Sequence, residues 1–242
     1  VYPSADMKSI IALNGDGTFR WKKSIHPGAL SRYSMIGLSD LNKNGRTEIL
    51  FENKVLEETS PGVVDLKILP GSPIVAYSYT TAAALDPSQP NEVFVIDTRY
   101  GVYNSDLTLK YELPSGPVNG NVISVKGSKI AVADVDSTVL GQEIVAIKGS
   151  VLFLVNGMTG QIIGSGKRLA GNVGGAPTVG DFDGDSSTIE IAVATSAFLE
   201  IYDHQLNLIS KYSTQDASSS QTGITSFDFN GDGKVEIIYG DE

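Results

Sequence analysis

Cysteine is absent from the 242 residues. That removes disulfides, thiol nucleophiles, iron–sulfur clusters and cysteine-based zinc sites together. Histidine occurs twice, at His26 and His204, far apart in sequence, which argues against imidazole metal chemistry. No Asn-x-Ser/Thr acceptor is present. A secreted chain without disulfides or glycosylation acceptors points to a bacterial source. Basic residues number 18 against 28 acidic ones, a net charge of −10. A phosphate-binding surface needs clustered Lys and Arg, so nucleic acid is not an expected partner. No apolar run approaches about 18 residues, so no membrane insertion is expected. No stretch holds a 3.6-residue period over about twelve residues, so no helix is predicted. Neither an initiator Met nor a signal peptide is seen, which suggests a chain that is processed or cut from something longer.

What is present is apolar (41%), turn-rich (26 Gly) and sparsely charged (19%), the profile of a globular β protein. The chain repeats itself. The segments GLSDLNKNGRTEILFEN, VADVDSTVLGQEIVAIK, VGDFDGDSSTIEIAVAT and SFDFNGDGKVEIIYGDE share one pattern. Each has an apolar stretch, an Asp, a polar loop, a Glu and a second apolar stretch. The leading residues are Asp40, Asp134, Asp181 and Asp228, with a degraded copy at Asp86. The steps between them are 46, 48, 47 and 47 residues. Out of phase lies a second element, apolar run, Asn/Gly/Asp turn, apolar run, as in IIALNGDGTFRWKK and FLEIYDHQLNLISKY. That is a hairpin signal.

Four strands per repeat of about 47 residues make one blade of a β-propeller. The chain starts at the third strand of a repeat and stops after the second. The expected fold is therefore all-β: a single propeller domain over 1–242, with four complete blades and a fifth shared between the termini. In that arrangement VEIIYG lies beside SIIALN. The alternative is a slice of a larger propeller. The repeat from Gly37 to Leu69 is the least regular, with poorly marked outer strands.

The acidic loops suit a metal. Asp40, Asn42, Asn44, the carbonyl of Arg46 and Glu48 read D-x-N-x-N-G-x-x-E, and Asp228, Asn230, Asp232, the carbonyl of Lys234 and Glu236 read D-x-N-x-D-G-x-x-E. Oxygen side chains at positions 1, 3 and 5 of a tight turn converge, Gly at 6 permits the bend, and Glu at 9 closes the sphere. Six or seven oxygens suit Ca²⁺ better than Mg²⁺. The third loop holds Asp181, Asp183 and Asp185, with Glu190 one residue late. The fourth holds Asp134, Asp136 and Thr138, with Glu143 also one residue late. The Asp86 loop has two prolines and no ligand set. Three or four Ca²⁺ ions are expected; four would bring the net charge from −10 to −2.

DLNKNGRTEILF, DFDGDSSTIEIAV and DFNGDGKVEIIY resemble the FG-GAP/VCBS repeats of integrin-α-like β-propellers, and a Gly-Ala-Pro stands at Gly175, Ala176 and Pro177. The resemblance implies that the Ca²⁺ ligands fall on these loop residues. It also implies an extracellular or cell-surface module for adhesion, or for glycan or protein binding.

Catalytic signatures fail. GQIIGSGKRL lacks the glycine and the Ser/Thr of a phosphate loop, Gly171, Gly174 and Gly175 make no dinucleotide fingerprint, and no G-x-S-x-G occurs. The expected function is a non-enzymatic binding or adhesion module. The alternatives are a propeller lectin, and the accessory or catalytic propeller of a polysaccharide lyase. A single Trp, Trp21, and Tyr residues that do not recur at one repeat position weigh against the lectin. The protein or glycan partner is expected on the face opposite the acidic loops. There the long, varied links, SIHPGALSRYS, PSGPVNGNV, RLAGNVGGA and STQDASSSQTG, carry His26, Arg32, Tyr33 and Asn172, with Arg99 and Tyr100 nearby.

Overall fold

The computed structural model describes residues 1–25, 36–73, 79–89, 92–185, 188–215 and 224–240. His26, Arg32 and Tyr33 lie outside the described residues. The described chain is all-β and without helix, in seven small antiparallel sheets. It divides into two compact units, one of residues 1–84 and 90–112 and the other of 85–89 and 113–242.

The first unit opens with β1 (Tyr2–Pro3), β2 (Ser9–Leu13) and β3 (Phe19–Ser24), a three-stranded sheet. Next come β4 (Gly37–Ser39), β5 (Glu48–Phe51), β6 (Lys54–Ser60) and β7 (Val63–Ile68), then β8 (Thr80–Ala83), β9 (Phe94–Asp97), β10 (Gly101–Tyr103) and β11 (Leu109–Glu112). Each set of four is an up-and-down sheet in sequence order. The inner strands β5 (EILF) and β9 (FVID) are apolar at all but one position and buried throughout, because both faces are covered. Ile49, Phe51 and Leu56 pack with Ile10, Ala12 and Trp21, while Leu50 and Val55 on the other face pack with Val93, Val95 and Tyr103. Each such buried side chain contributes about 1.5–3 kcal/mol.

The second unit holds the hairpin β12 (Ser115–Val118) and β13 (Asn121–Ser124). Two four-stranded sheets follow: β14 (Lys129–Ala133), β15 (Glu143–Lys148), β16 (Val151–Asn156) and β17 (Ile162–Arg168), then β18 (Thr178–Gly180), β19 (Glu190–Ala194), β20 (Phe198–Tyr202) and β21 (Leu208–Ser213). The hairpin β22 (Ile224–Phe227) and β23 (Glu236–Tyr239) ends it. Val145, Ile147, Leu152 and Leu154 pack with Ile191, Val193 and Tyr202.

Three hairpin turns, those between β2 and β3, β10 and β11, and β20 and β21, follow related designs. Asn14 and Asn104 each accept the N–H three residues on and donate through Nδ2 to Thr18 and Thr108. Asp16 and Asp106 accept both the N–H and the hydroxyl of the same threonine. The fourth turn residue is left-handed: Gly17 (φ 84°), Leu107 (φ 68°) and, in the related Asp203 turn, Leu206 (φ 61°). Leucine is strained there, but Leu107 and Leu206 are buried in the two cores, so packing offsets the backbone cost.

Three features depart from the sequence reading. Tyr2–Pro3 lies along β2, pairing with Ile11 and Ile10, so the edge expected to receive 236–239 is taken by a local strand. Closure across a few residues costs little entropy, and Pro3 suits an edge because it has no N–H to pair. The segment PSGPVNGNV, read as a link, holds β12, the turn and the start of β13. Its turn places Asn119 (φ 47°) and Gly120 (φ 79°) in the left-handed region, as a two-residue type I′ turn requires. The irregular repeat from Gly37 forms a complete sheet, because Pro61 and Gly62 (φ 78°) supply the turn between β6 and β7.

Candidate metal centres

The acidic loops join the first two strands of a sheet. Strand register brings the residue before each leading Asp opposite the closing Glu: Ser39 with Glu48, Ala133 with Glu143, Gly180 with Glu190, Phe227 with Glu236. The sequence put Glu143 and Glu190 among the metal residues but one residue late for the ninth position. In the structure they occupy the same register position as Glu48 and Glu236, and the extra residue is absorbed within the loop.

All four glutamates make the same hydrogen bond. One carboxylate oxygen accepts the backbone N–H of the residue after the leading Asp. The donors are Leu41 to Glu48 at 2.7 Å, Val135 to Glu143 at 2.8 Å, Phe182 to Glu190 at 2.9 Å and Phe229 to Glu236 at 2.8 Å. Leu41 and Val135 are themselves core residues, so the bond ties the start of the loop to the packed sheet. The second oxygen differs among the four. Glu48 and Glu143 are buried, and Oε1 of each has no hydrogen-bond partner. Oε1 of Glu190 accepts the Thr188 hydroxyl at 3.1 Å, and Oε1 of Glu236 accepts Nδ2 of Asn230 at 2.9 Å.

Two loops gather three carboxylates each. Oxygens of Asp181, Asp183 and Glu190 lie within 4.8 Å of one another, and so do those of Asp228, Asp232 and Glu236. Asp185 is not in the first group; its N–H donates to Asp183 Oδ1 at 2.8 Å. In the Asp228 loop the N–H groups of Gly231 and Gly233 donate to the two oxygens of Asp228 at 2.6 and 2.9 Å. These bonds, that of Gly233 foremost, hold the Asp228 carboxyl below its usual range. Asn230 turns its NH₂ group toward Asp232 (3.1 Å) and Glu236 (2.9 Å), bridging two carboxylates that would otherwise repel. Lys234 donates its N–H to Asp232 Oδ1 at 2.9 Å.

The Asp40 loop brings together two carboxylates and two amides. Asp40 accepts the N–H groups of Asn44 (3.1 Å) and Gly45 (2.9 Å), Asn42 Oδ1 accepts that of Asn44, and Asn44 Oδ1 accepts that of Arg46 at 2.8 Å. Burial pushes the Glu48 carboxyl up, with Glu57 and Asp40 adding to the rise. The Asp134 loop does not assemble the same way. Asp136 accepts the N–H (3.0 Å) and hydroxyl (2.6 Å) of Thr138, and Asp134, Asp136 and Glu143 form no three-carboxylate group. Burial likewise raises Glu143, with Asp134 and Asp136 adding to it. The Asp86 loop closes on itself: Asp86 accepts from Ser88 and from the side chain of Gln89.

Every side-chain donor in these loops is oxygen, the set a hard cation takes. A divalent ion fits the observations at two points. It would neutralise the two three-carboxylate groups, and it would give the orphaned oxygens of Glu48 and Glu143 a partner.

Among the predicted contact residues, the N–H of Arg99 donates to Asp97 Oδ1 at 2.9 Å, and the Tyr100 hydroxyl donates to Glu112 Oε1 at 3.1 Å. Both are half-buried. Asn172 is exposed, with its N–H 3.4 Å from Ser196 Oγ. The sequence reading did not find the glutamate-to-backbone clamp, the Asn230 bridge or a buried carboxylate at Glu200. The recurrence of Glu at a strand start was the available signal for the first.

No family model and no curated protein matches this chain. Among solved structures, one similar chain is a protein of unknown function from Bacteroides caccae, with 10% identity and a TM-score of 0.43; the match covers 85% of this chain and 69% of that one. Another is the V. cholerae biofilm matrix protein Bap1, with 13% identity and a TM-score of 0.34, covering 97% of this chain and 58% of that one. Likenesses of this degree assign neither fold family nor activity to the chain.

Proposed function

We propose that this chain is a calcium-binding β-propeller module of the FG-GAP/VCBS type, acting outside the cell as a non-catalytic binding or adhesion element. The shared clamp of Glu48, Glu143, Glu190 and Glu236 carries the reading. Four loops of different length and composition put a carboxylate at one register position, two of them with a buried oxygen left without a partner. Leaving a buried acceptor unpaired costs about 1–3 kcal/mol, so a feature repeated in this way points to a ligand. The face-to-face stacking of up-and-down sheets, apolar on both faces, supports the propeller.

In this reading the ion is held by Asp40, Asn42, Asn44 and Glu48; by Asp181, Asp183 and Glu190, with Asp185 nearby; and by Asp228, Asn230, Asp232 and Glu236. Asp134, Asp136, Thr138 and Glu143 make a fourth, less complete set. The ion supplies structure rather than chemistry: it replaces carboxylate repulsion with attraction and fixes the loops. Long links between sheets are then free to bind a protein or glycan.

Thermal unfolding tests this. Saturating Ca²⁺ at about 100-fold over its dissociation constant adds about 2.7 kcal/mol per site. The chelated protein is expected to melt several degrees lower, with Ca²⁺ restoring the transition and Mg²⁺ restoring little. An identical melting curve with and without Ca²⁺ would overturn the reading. For the partner surface, alanine at Arg99 and Tyr100 is expected to weaken capture of a glycan or protein ligand by about 1 kcal/mol or more without changing Ca²⁺ affinity. Loss of capture only on mutation beside Asn42 or Asp183, with Ca²⁺ uptake intact, would place the contact on the acidic loops instead.

A further inference from the structure

The Asp181 and Asp228 loops are joined. The backbone N–H of Val235, in the Asp228 loop, donates to the carbonyl of Asp181 at 2.9 Å. Lys234, one residue earlier, extends its side chain across the same gap. Its Nζ lies 3.4 Å from the Asp183 carbonyl, and its Cε stands 2.5 Å from where a Cβ on Gly184 would be. Gly184 (φ 87°) sits in the left-handed region, and a Cβ there would displace the end of the Lys234 side chain.

The carbonyl of Lys234 and the N–H of Val235 belong to one planar peptide group. In a trans peptide they point in opposite directions. A cation drawing on the Lys234 carbonyl from within the Asp228 loop therefore orients the Val235 N–H toward Asp181. It also polarises that N–H, making it a stronger donor. The acceptor belongs to Asp181, whose carboxylate is one of the three oxygens gathered in the neighbouring loop.

We propose that the Asp181 and Asp228 loops form one linked pair of cation sites, in which filling either raises the affinity of the other through the 234–235 peptide. This rests on the calcium reading above and adds regulation to it. Two cations repel, but three carboxylates around each cancel most of that field, and the shared peptide decides the sign. By linkage, the two loops change each other's affinity by the same factor, of about fivefold or more.

The test uses the full chain carrying Asp40→Asn and Asp134→Asn, so that two loops report. Calorimetric titration with CaCl₂ is run on this protein and on versions with Asp228→Asn plus Asp232→Asn, or Asp181→Asn plus Asp183→Asn. Each single-loop version is expected to bind about fivefold or more weakly than the same loop in the two-loop protein, by equal factors. Val235→Pro removes the N–H and is expected to abolish the linkage while each loop still binds. If the proline variant fails to fold by circular dichroism, the comparison of the two-loop with the single-loop isotherms decides. A two-loop isotherm equal to the sum of the single-loop isotherms overturns the linkage and leaves calcium binding standing. No heat and no uptake at about 10⁻³ M Ca²⁺ in any version overturns the calcium reading, and the linkage with it.

Discussion

The Glu48 carboxylate accepts the backbone N–H of Leu41 at 2.7 Å through one oxygen and leaves the other buried and unpaired. The bond joins the first residue of β5 to a core leucine at the mouth of the acidic loop. Glu143 repeats it on Val135 and adds the N–H of Asp136 at 3.1 Å. The same atom that ties the loop to the core thus sets the free oxygen where a cation can use it.

The pH dependence of the metal-free protein follows. Burial raises the Glu48 and Glu143 carboxyls above their ordinary value near 4.5 in the folded state. Folded protein then holds these protons more tightly than unfolded protein does, so stability falls as pH rises from about 4.5 through the raised values. Asp40, Glu57 and Lys67 face Glu48, and Asp134 and Asp136 face Glu143; Lys67 opposes the rise and the acids reinforce it. In the other direction, Asp228, Asp16 and Asp106 are held below 3.8, and their contribution is lost as pH falls through the lowered values. Desalted, metal-free protein is therefore expected to melt highest in mild acid, just above the aspartate range. Ca²⁺ is expected to shift that maximum toward neutrality. A metal-free melting temperature that climbs steadily from pH 4.5 to 7 would contradict the assignment.

Asn230→Asp separates the metal-free and metal-bound states. The amide NH₂ now bridges Asp232 and Glu236; a carboxylate there removes two donors and adds a fourth negative charge. Without Ca²⁺ the variant is expected to melt lower than the parent. With Ca²⁺ the added charge is expected to tighten the Asp228 site several-fold. Melting curves and calcium titrations on the same preparation check both signs.

Glu200 is fully buried and accepts the N–H groups of Ala170 (3.0 Å) and Gly171 (3.2 Å) and the hydroxyl of Tyr202. It holds the link leaving β17 against β20. Glu200→Ala strands three donors and is expected to cost about 3 kcal/mol or more in urea unfolding. Glu200→Gln, which keeps an acceptor, is expected to cost about half as much. Gly171→Ala would place its Cβ 2.1 Å from Thr195 Oγ1, an overpacking of about 1–3 kcal/mol.

Lys54 and Glu52 form a buried ion pair at 3.1 Å, with Asn53 Oδ1 also 3.1 Å from the ammonium. Removing one partner leaves a buried charge, so Lys54→Met and Glu52→Gln are each expected to cost about 3–5 kcal/mol. The double variant is expected to recover much of that loss. A double-mutant cycle with strictly additive losses would show that the pair does not interact.

Much was legible in the sequence because β-structure and turns are local. The alternation of apolar runs with Asn, Gly and Asp turns predicted the four-stranded sheets, since a turn's dihedral needs and a strand's side-chain period are written in neighbouring residues. The loops with Asp at the first position and Glu at the ninth were equally readable. The Pro61–Gly62 turn and the Asn119–Gly120 turn were also local signals, because two neighbouring residues fix the dihedrals of a two-residue turn.

Tertiary structure decided the rest, because it depends on which distant groups meet. Strand register put Glu143 and Glu190 in the place of Glu48 and Glu236, although counting residues set them one step late. Packing placed Leu107 and Leu206 in a backbone conformation that their type disfavours, at a cost offset only by cores assembled from several strands. A two-residue strand at Tyr2–Pro3 claimed the edge of β2, since a partner a few residues away closes at less entropic cost than one at the far end of the chain. The contact of Lys234 and Val235 with the neighbouring loop could not be read from either loop alone. It exists because two sheets, each built from its own segment, bring one peptide group within hydrogen-bonding reach of another.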